Sequence, residues 1–423
     1  MMLPNVIKNF FIYAFGAFFL KGISVLLAPI IMRILTPADY GLLSLVTNFI
    51  AIVFTCAGLG MRQLLSIEYF HCDELGKKKI INDMLFVYVI LMIPVFILLF
   101  FGANFINKLI FVGQAYPLLI NFCLLVAFLK FFSELFFQIL QYAGKAFTLT
   151  AIQIAAACIL FGLNLSFLYL FGWGIFSIVA AQFVSVSFVV LIAAFFYVSQ
   201  LYYAHLDING ALSKSFFYVK RGLPFVPRVL FAWVLAVGDR WVLAKYATLA
   251  DVGIYSVADM FGQLFQIVVV MPVVYAYIPY MMNKFAANKK NLISLDNWNL
   301  KNMIITMIFL IFLVSVGLVI CKPIIFILLP QKYRVAIQFV WSLLIGYIFL
   351  LGSYFASIFL QFHKHIYFLV FALLVPAVFN IFLNILLVPH YNIWGCVIAT
   401  VLSYIFYFLI IILYNLYIKK KLQ

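Results

Sequence analysis

Apolar runs, each long enough to cross a bilayer, alternate with short polar stretches along the whole chain. Twelve such runs stand at approximately 9–32, 40–65, 81–103, 116–140, 147–171, 174–199, 221–244, 252–282, 302–321, 335–360, 366–388 and 392–417. About twenty helical residues span a hydrocarbon core, so each run predicts one membrane-spanning helix. The eighth is over-long and carries Pro272 and Pro279, which predicts a kink or tilt there. No connecting segment exceeds about twenty-two residues, so no domain is expected outside the membrane. The pattern predicts an all-α integral membrane protein with twelve transmembrane helices.

Between the first two runs lies RILTPADYGLLSL, Arg33 to Leu45. Thr36-Pro37-Ala38-Asp39 reads as a helix start: Thr at the N-cap, Pro at N1 and an acid at N3 to complete a capping box. KYATLADVGIYSV, Lys245 to Val257, repeats it, Thr248, Asp251, Gly253 and Ser256 answering Thr36, Asp39, Gly41 and Ser44. Gly41 and Gly253 would let helices approach closely. Further echoes are Trp173-Gly174 with Trp394-Gly395, Asn164 with Asn384, and Gln141 and Lys145 with Gln361 and Lys364. The chain reads as one half written twice, an N-terminal six-helix lobe at 1–205 and a C-terminal six-helix lobe at 206–423, with a polar linker near 200–221. Six spans is an even number, so the repeat is parallel, and such repeats place a substrate site at their interface.

Composition agrees: 68% of residues are hydrophobic and 9% charged. The net charge of +16 comes mostly from short loops, so the positive-inside rule explains it and nucleic-acid binding is not expected. With the N-terminus inside, sixteen Lys and Arg fall on the cytoplasmic side and six outside, which predicts both termini cytoplasmic. The first run is too long for a signal sequence and is read as a retained helix. The six cysteines lack CxxC spacing and read as small core residues. No phosphate-loop, dinucleotide, zincin or serine-hydrolase motif occurs, and His363-Lys364-His365 has no acid or cysteine beside it, so no cofactor or metal is expected.

The candidate chemistry lies in charges within the spans, where each is costly and tends to face a cavity or a partner. Lys21 falls near the middle of the first span, and Arg62 near the inner end of the second. Lys130 and Glu134 are four apart and are expected to pair. Arg228 and Asp239, eleven apart, are expected on one face of the seventh span, with Arg240 near its outer end. Asp259 is an isolated acid on the eighth, a candidate proton or cation site. Five cations against three acids suit an anionic substrate, because guanidinium and ammonium groups hold phosphate oxygens strongly.

RILTPADYGLLS, the stretch from Gly222 to Leu264 (GLPFVPRVLFAWVLAVGDRWVLAKYATLADVGIYSVADMFGQL) and FNIFLNILLVPHYNIWGCVIATVLSY resemble bacterial polysaccharide flippases of the O-antigen type. These belong to the multidrug/oligosaccharidyl-lipid/polysaccharide exporter superfamily, and the resemblance covers essentially the whole chain. It implies a MATE-like, V-shaped pair of lobes, alternating access, and flipping of undecaprenyl-pyrophosphate-linked oligosaccharide from the inner to the outer leaflet of the bacterial cytoplasmic membrane. It also implies basic cavity residues, which Lys21, Arg62, Arg228 and Arg240 could supply, with Asp239, Asp259, Lys130 and Glu134 left for coupling or ion pairing. A polysaccharide polymerase and a chain-length regulator are the partners it implies. The acid that drug exporters carry in span one is absent, which disfavours a multidrug/cation exporter. An integral-membrane polymerase or ligase is disfavoured by the short outer loops and the repeat.

Overall fold

A computed structural model of the chain describes residues 3–110, 116–201, 211–288 and 291–422. Among them there is no strand. The helices of the first half are α1 (Leu3–Ile34), α2 (Pro37–Ala57), α3 (Met61–Glu68), α4 (Glu74–Phe101), α5 (Ala103–Ile110), α6 (Pro117–Tyr142), α7 (Ala146–Tyr169) and α8 (Ile175–Leu201). The second half has α9 (Ala211–Gly222), α10 (Val226–Val237), α11 (Asp239–Tyr246), α12 (Leu249–Phe265), α13 (Met271–Ala287), α14 (Leu292–Leu328), α15 (Ile337–Phe362), α16 (Ile366–Tyr391) and α17 (Ile393–Leu422). Ten described segments can span a bilayer, and the pair Phe217–Val237 and Asp239–Tyr246, bent by 46°, makes an eleventh. With α1, itself 32 residues long, the count is approximately consistent with the twelve expected spans.

Both capping boxes form as their sequences dictate. The Asp39 amide donates to Thr36 Oγ1 at 3.2 Å, and Asp39 Oδ2 accepts from the Thr36 amide at 3.0 Å. In the second copy the matching distances are 3.1 Å and 3.1 Å, from Asp251 and Thr248. Each box satisfies donors that a helix start would otherwise leave unpaired. The turns between the fourth and fifth spans of each half match too. Between α6 and α7 the Lys145 amide donates to the Leu140 carbonyl at 3.0 Å, and between α15 and α16 the His365 amide donates to Leu360 at 3.0 Å. The left-handed residue of this turn is Gly144 (φ 69°) in the first copy and Lys364 (φ 60°) in the second. The structural counterpart of Lys145 is therefore His365, one residue beyond the pairing read from sequence.

The second and the eighth spans are both interrupted near the same place in the repeat. The second breaks at Gly58–Gly60, with Leu59 at φ 46° and Gly60 at φ 69°. A side chain on Gly60 would stand 2.0 Å from the Gly222 carbonyl oxygen, so glycine serves both the backbone turn and the approach of α9. At the same level in the second copy, the over-long eighth span widens into a π-turn at Gln266–Val270. Pro272 follows it; a proline lacks an N–H and crowds the preceding turn, which accounts for the disturbance expected there.

The chain divides into two compact units, one of residues 1–35 and 45–230, the other of 36–44 and 231–423. In the first, α8 packs on α6 and α7, and α1 lies along α7. In the second, α15 is mostly buried and packs chiefly on α17. The start of α2 belongs to this second unit, where it crosses α12 at Gly41 and Gly253. A Cβ on Gly41 would lie 1.9 Å from the Leu249 carbonyl oxygen, and one on Gly253 would lie 1.9 Å from that of Pro37. Each carbonyl thus sits within reach of the other helix's glycine Cα hydrogens. One turn further, Ser256 Oγ donates to Ser44 Oγ at 2.8 Å, two residues that hold the same place in the repeat.

Candidate functional site

In the first unit the break at Gly58–Gly60 ends α2 and restarts the chain as α3, placing Arg62 in the first turn of α3. Arg62 Nη2 lies 3.2 Å from Glu134 Oε2 on α6, and the two side chains are 33% and 34% exposed. Gln138, one turn beyond Glu134, donates from Nε2 to the Arg62 carbonyl at 2.9 Å and fixes the register of α3 on α6. Phe54, in the last turn of α2, stands 5.8 Å from the Arg62 guanidinium carbon and 5.6 Å from Lys130 Nζ. Arg62 and Lys130 thus share one aromatic ring, a contact that stabilises cations while leaving their donors available. Glu134 closes on Arg62 rather than on Lys130, the expected partner on its own helix. Arg62 Nε has no acceptor within the protein. With two cations and one acid, the cluster carries formal charge +1.

The second unit holds a cluster of opposite sign. Gly238 breaks the seventh span, so Asp239 and Arg240 open α11 instead of continuing the face that carries Arg228. Asp239 and Arg240 are 1% and 3% exposed, deep among α11, α12, α15 and α17. Arg240 Nη2 binds Asp259 Oδ2 at 2.6 Å, and Nε donates to Ser256 Oγ at 3.2 Å. Asp259 also accepts from Gln263 Nε2 at 2.8 Å and from the Tyr347 hydroxyl at 2.9 Å. Asp239 accepts from the Tyr255 hydroxyl and from Thr400 Oγ1 at 3.0 Å. Two carboxylates and one guanidinium leave a formal charge of −1 in a buried site, where an unbalanced charge is costly. Asp259 is therefore no isolated acid but the hub of a network reaching α11, α12 and α15. Arg240 is enclosed by carboxylates and is not a free cation at an outer surface.

The remaining candidates lie on other helices. Arg228 lies exposed in the first turn of α10. Lys21 lies on α1, and its side chain falls outside the described residues. Sequence reasoning missed Tyr255, Thr400, Tyr347 and Ser256. A signal existed for part of this: Tyr255, Ser256, Asp259 and Gln263 recur at helical spacing along α12, one polar stripe on an apolar helix. Among the described residues no group of His, Cys, Asp and Glu side chains is placed to hold a metal ion.

The family model described as "Polysaccharide biosynthesis protein" matches residues 6–285. Among curated proteins none matches the chain in sequence. Solved structures with this fold include the lipid II flippase MurJ in an inward closed conformation. It is 16% identical, with a TM-score of 0.70, covering 95% of this chain and 86% of that one. An inward-facing multidrug resistance MATE family transporter of the MOP superfamily is 15% identical, with a TM-score of 0.69, covering 94% and 93%. A MOP superfamily transporter from Pyrococcus furiosus is 14% identical, with a TM-score of 0.61, covering 96% and 94%.

Proposed function

Because the chain belongs to the polysaccharide biosynthesis protein family, we propose that it is a flippase. It carries undecaprenyl-pyrophosphate-linked oligosaccharide from the cytoplasmic to the outer leaflet of a bacterial inner membrane, by alternating access, for surface polysaccharide. The observation that carries this reading beyond the family is the partly exposed Arg62–Lys130–Glu134 cluster. Its surplus positive charge is shared between Lys130 on the spanning helix α6 and Arg62 on the short α3 packed against it, and Arg62 keeps a donor without a protein acceptor. A pyrophosphate would be held there by charge-assisted hydrogen bonds, with Lys21 and Arg228 as further cationic contacts. The buried Asp239–Arg240–Asp259 network supports a different role, that of a coupling centre. A group holding surplus negative charge out of water is the kind whose affinity for a proton or small cation depends on conformation. A polymerase and a chain-length regulator would act on the delivered repeat units.

The test is complementation of a strain lacking this protein. Arg62→Gln, Lys130→Gln and Arg228→Gln proteins, each present in the membrane at normal amount, are expected to lose surface polysaccharide. Lipid-linked repeat units should accumulate in the cytoplasmic leaflet. Normal polysaccharide from all three would remove the cationic-site reading. Dye efflux without any polysaccharide phenotype would instead favour a multidrug/cation exporter, a reading already weakened by the lack of a carboxylate in span one.

A further inference from the structure

A cavity of about 490 Å3 opens among α4, α6 and α8 of the first unit. Its wall is apolar for most of its length, with Phe86, Phe132 and Phe136 among the lining residues. One end differs. Asn82 lines it from the third turn of α4, is 4% exposed, and has no hydrogen-bond partner for either Oδ1 or Nδ2. Lys145, in the exposed turn between α6 and α7, lines the same end. Lys78 continues the lining stripe of α4 (residues 81, 82, 85, 86 and 89) one turn toward the helix start. A buried amide with both groups unpaired is costly, and such groups nearly always meet a partner.

The second copy of the repeat shows what is missing from the first. There the counterparts α14, α15 and α17 fill their own intervening space with polar side chains. Asn415 Nδ2 donates to the Ala356 carbonyl at 2.9 Å, and Asn299 Nδ2 donates to that of Phe355 at 3.1 Å. Lys419 Nζ meets Asp296 Oδ2 at 2.5 Å. By the offset of the Trp173 and Trp394 pair, the first-copy position of Asn415 is Ala194, a small residue that lines the cavity. The first unit therefore has an open apolar slot, an orphaned amide and a basic rim where the second has a closed polar lock.

We propose that this slot binds an anionic glycerophospholipid of the surrounding bilayer. One acyl chain lies along the phenylalanines, and the headgroup phosphate and ester oxygens meet Lys145, Lys78 and the Asn82 amide. Charge complementarity selects the occupant. Basic pockets among membrane helices attract acidic headgroups, and a purely apolar groove would show no such rim. The proposal goes beyond the flippase reading and does not depend on it.

Native mass spectrometry of the full chain, released from detergent after titration with phosphatidylglycerol or phosphatidylcholine, tests it. One phosphatidylglycerol per chain is expected to stay bound at activation energies that strip phosphatidylcholine. Asn82→Leu, which removes an unpaired polar group and so should not harm folding, is expected to weaken that binding about tenfold, the scale of one lost hydrogen bond to a charged group. Lys145→Gln, in an exposed turn, is expected to abolish the preference for the acidic lipid. Equal retention of the two lipids by the natural protein would overturn the proposal. So would undiminished phosphatidylglycerol binding in both variants, or displacement of that lipid by an equimolar amount of a polyprenyl phosphate.

Discussion

Alanine at Gly253 sets two effects against each other. In a helix interior, glycine-to-alanine changes favour folding by about 0.5–1 kcal/mol, because glycine loses more backbone freedom. At this position the new Cβ would stand 1.9 Å from the Pro37 carbonyl oxygen. Ordinary carbon–oxygen contacts lie near 3.3–3.6 Å, so the start of α2 and the second turn of α12 must part by about 1.5 Å. Overpacking on that scale costs about 1–3 kcal/mol. The displacement also stretches the Ser256–Ser44 hydrogen bond of 2.8 Å, a loss of about 1 kcal/mol. The expected result for Gly253→Ala is a net destabilisation of about 1–3 kcal/mol. Gly41→Ala should behave alike, since its Cβ meets the Leu249 carbonyl oxygen at the same 1.9 Å. The double variant should cost less than the sum of the singles, because one separation relieves both clashes. Gly162→Ala on α7, where nothing lies within 4 Å of the new Cβ, isolates the propensity effect and should stabilise. The assay is thermal unfolding of the purified full chain in one detergent, followed by far-ultraviolet circular dichroism. If Gly253→Ala melts at or above the natural protein while Gly162→Ala rises, the close crossing of α2 and α12 is not a packing constraint.

Three further outcomes are expected. Arg240→Gln strands two buried carboxylates and should cost about 3–5 kcal/mol; adding Asp259→Asn should recover much of that loss, read as melting temperature and membrane yield. Lys364→Gly should stabilise by about 1 kcal/mol in the same melting assay, since Lys364 holds a left-handed conformation that glycine adopts freely. Lys419→Met should sharply destabilise the second unit by stranding the fully buried Asp296, whereas Lys419→Met with Asp296→Leu should restore stability to near the natural level; protease sensitivity near the C-terminus would report both.

The elements legible in the sequence were those set by local chemistry. The capping boxes at Thr36 and Thr248, the spans themselves and the disturbance before Pro272 follow from residue type and spacing within one helix. The break at Gly58–Gly60 did not, because Leu59 in a left-handed conformation sits inside an unbroken apolar run and is held there by the approach of Gly222. The site was less legible for the same reason. Counting charges revealed a surplus of cations but not their partners. Glu134 chose Arg62 on another helix over Lys130 on its own, and Asp259 found Arg240 and Tyr347 across helix boundaries. Such choices depend on helix packing, which no single-helix periodicity contains. The stripe of Tyr255, Ser256, Asp259 and Gln263 was readable as polar positions at helical spacing, but not which helices they would meet.

The Ser44–Ser256 contact has the character of an isologous interface, in which a residue touches its own equivalent. In a dimer of identical chains, a substitution at such a point strikes both partners at once, so only changes that suit themselves are admissible. Joining the two copies into one polypeptide lifts that restriction, because each side can vary while the other is held. The flanking positions have used this freedom: Pro37 faces the contact from one copy and Leu249 from the other, and Tyr40 answers Val252. Gly41 and Gly253, which still match across the crossing, are the pair where identity on both sides is demanded by space, whereas Thr36 with Asp39 and Thr248 with Asp251 match because each caps its own helix.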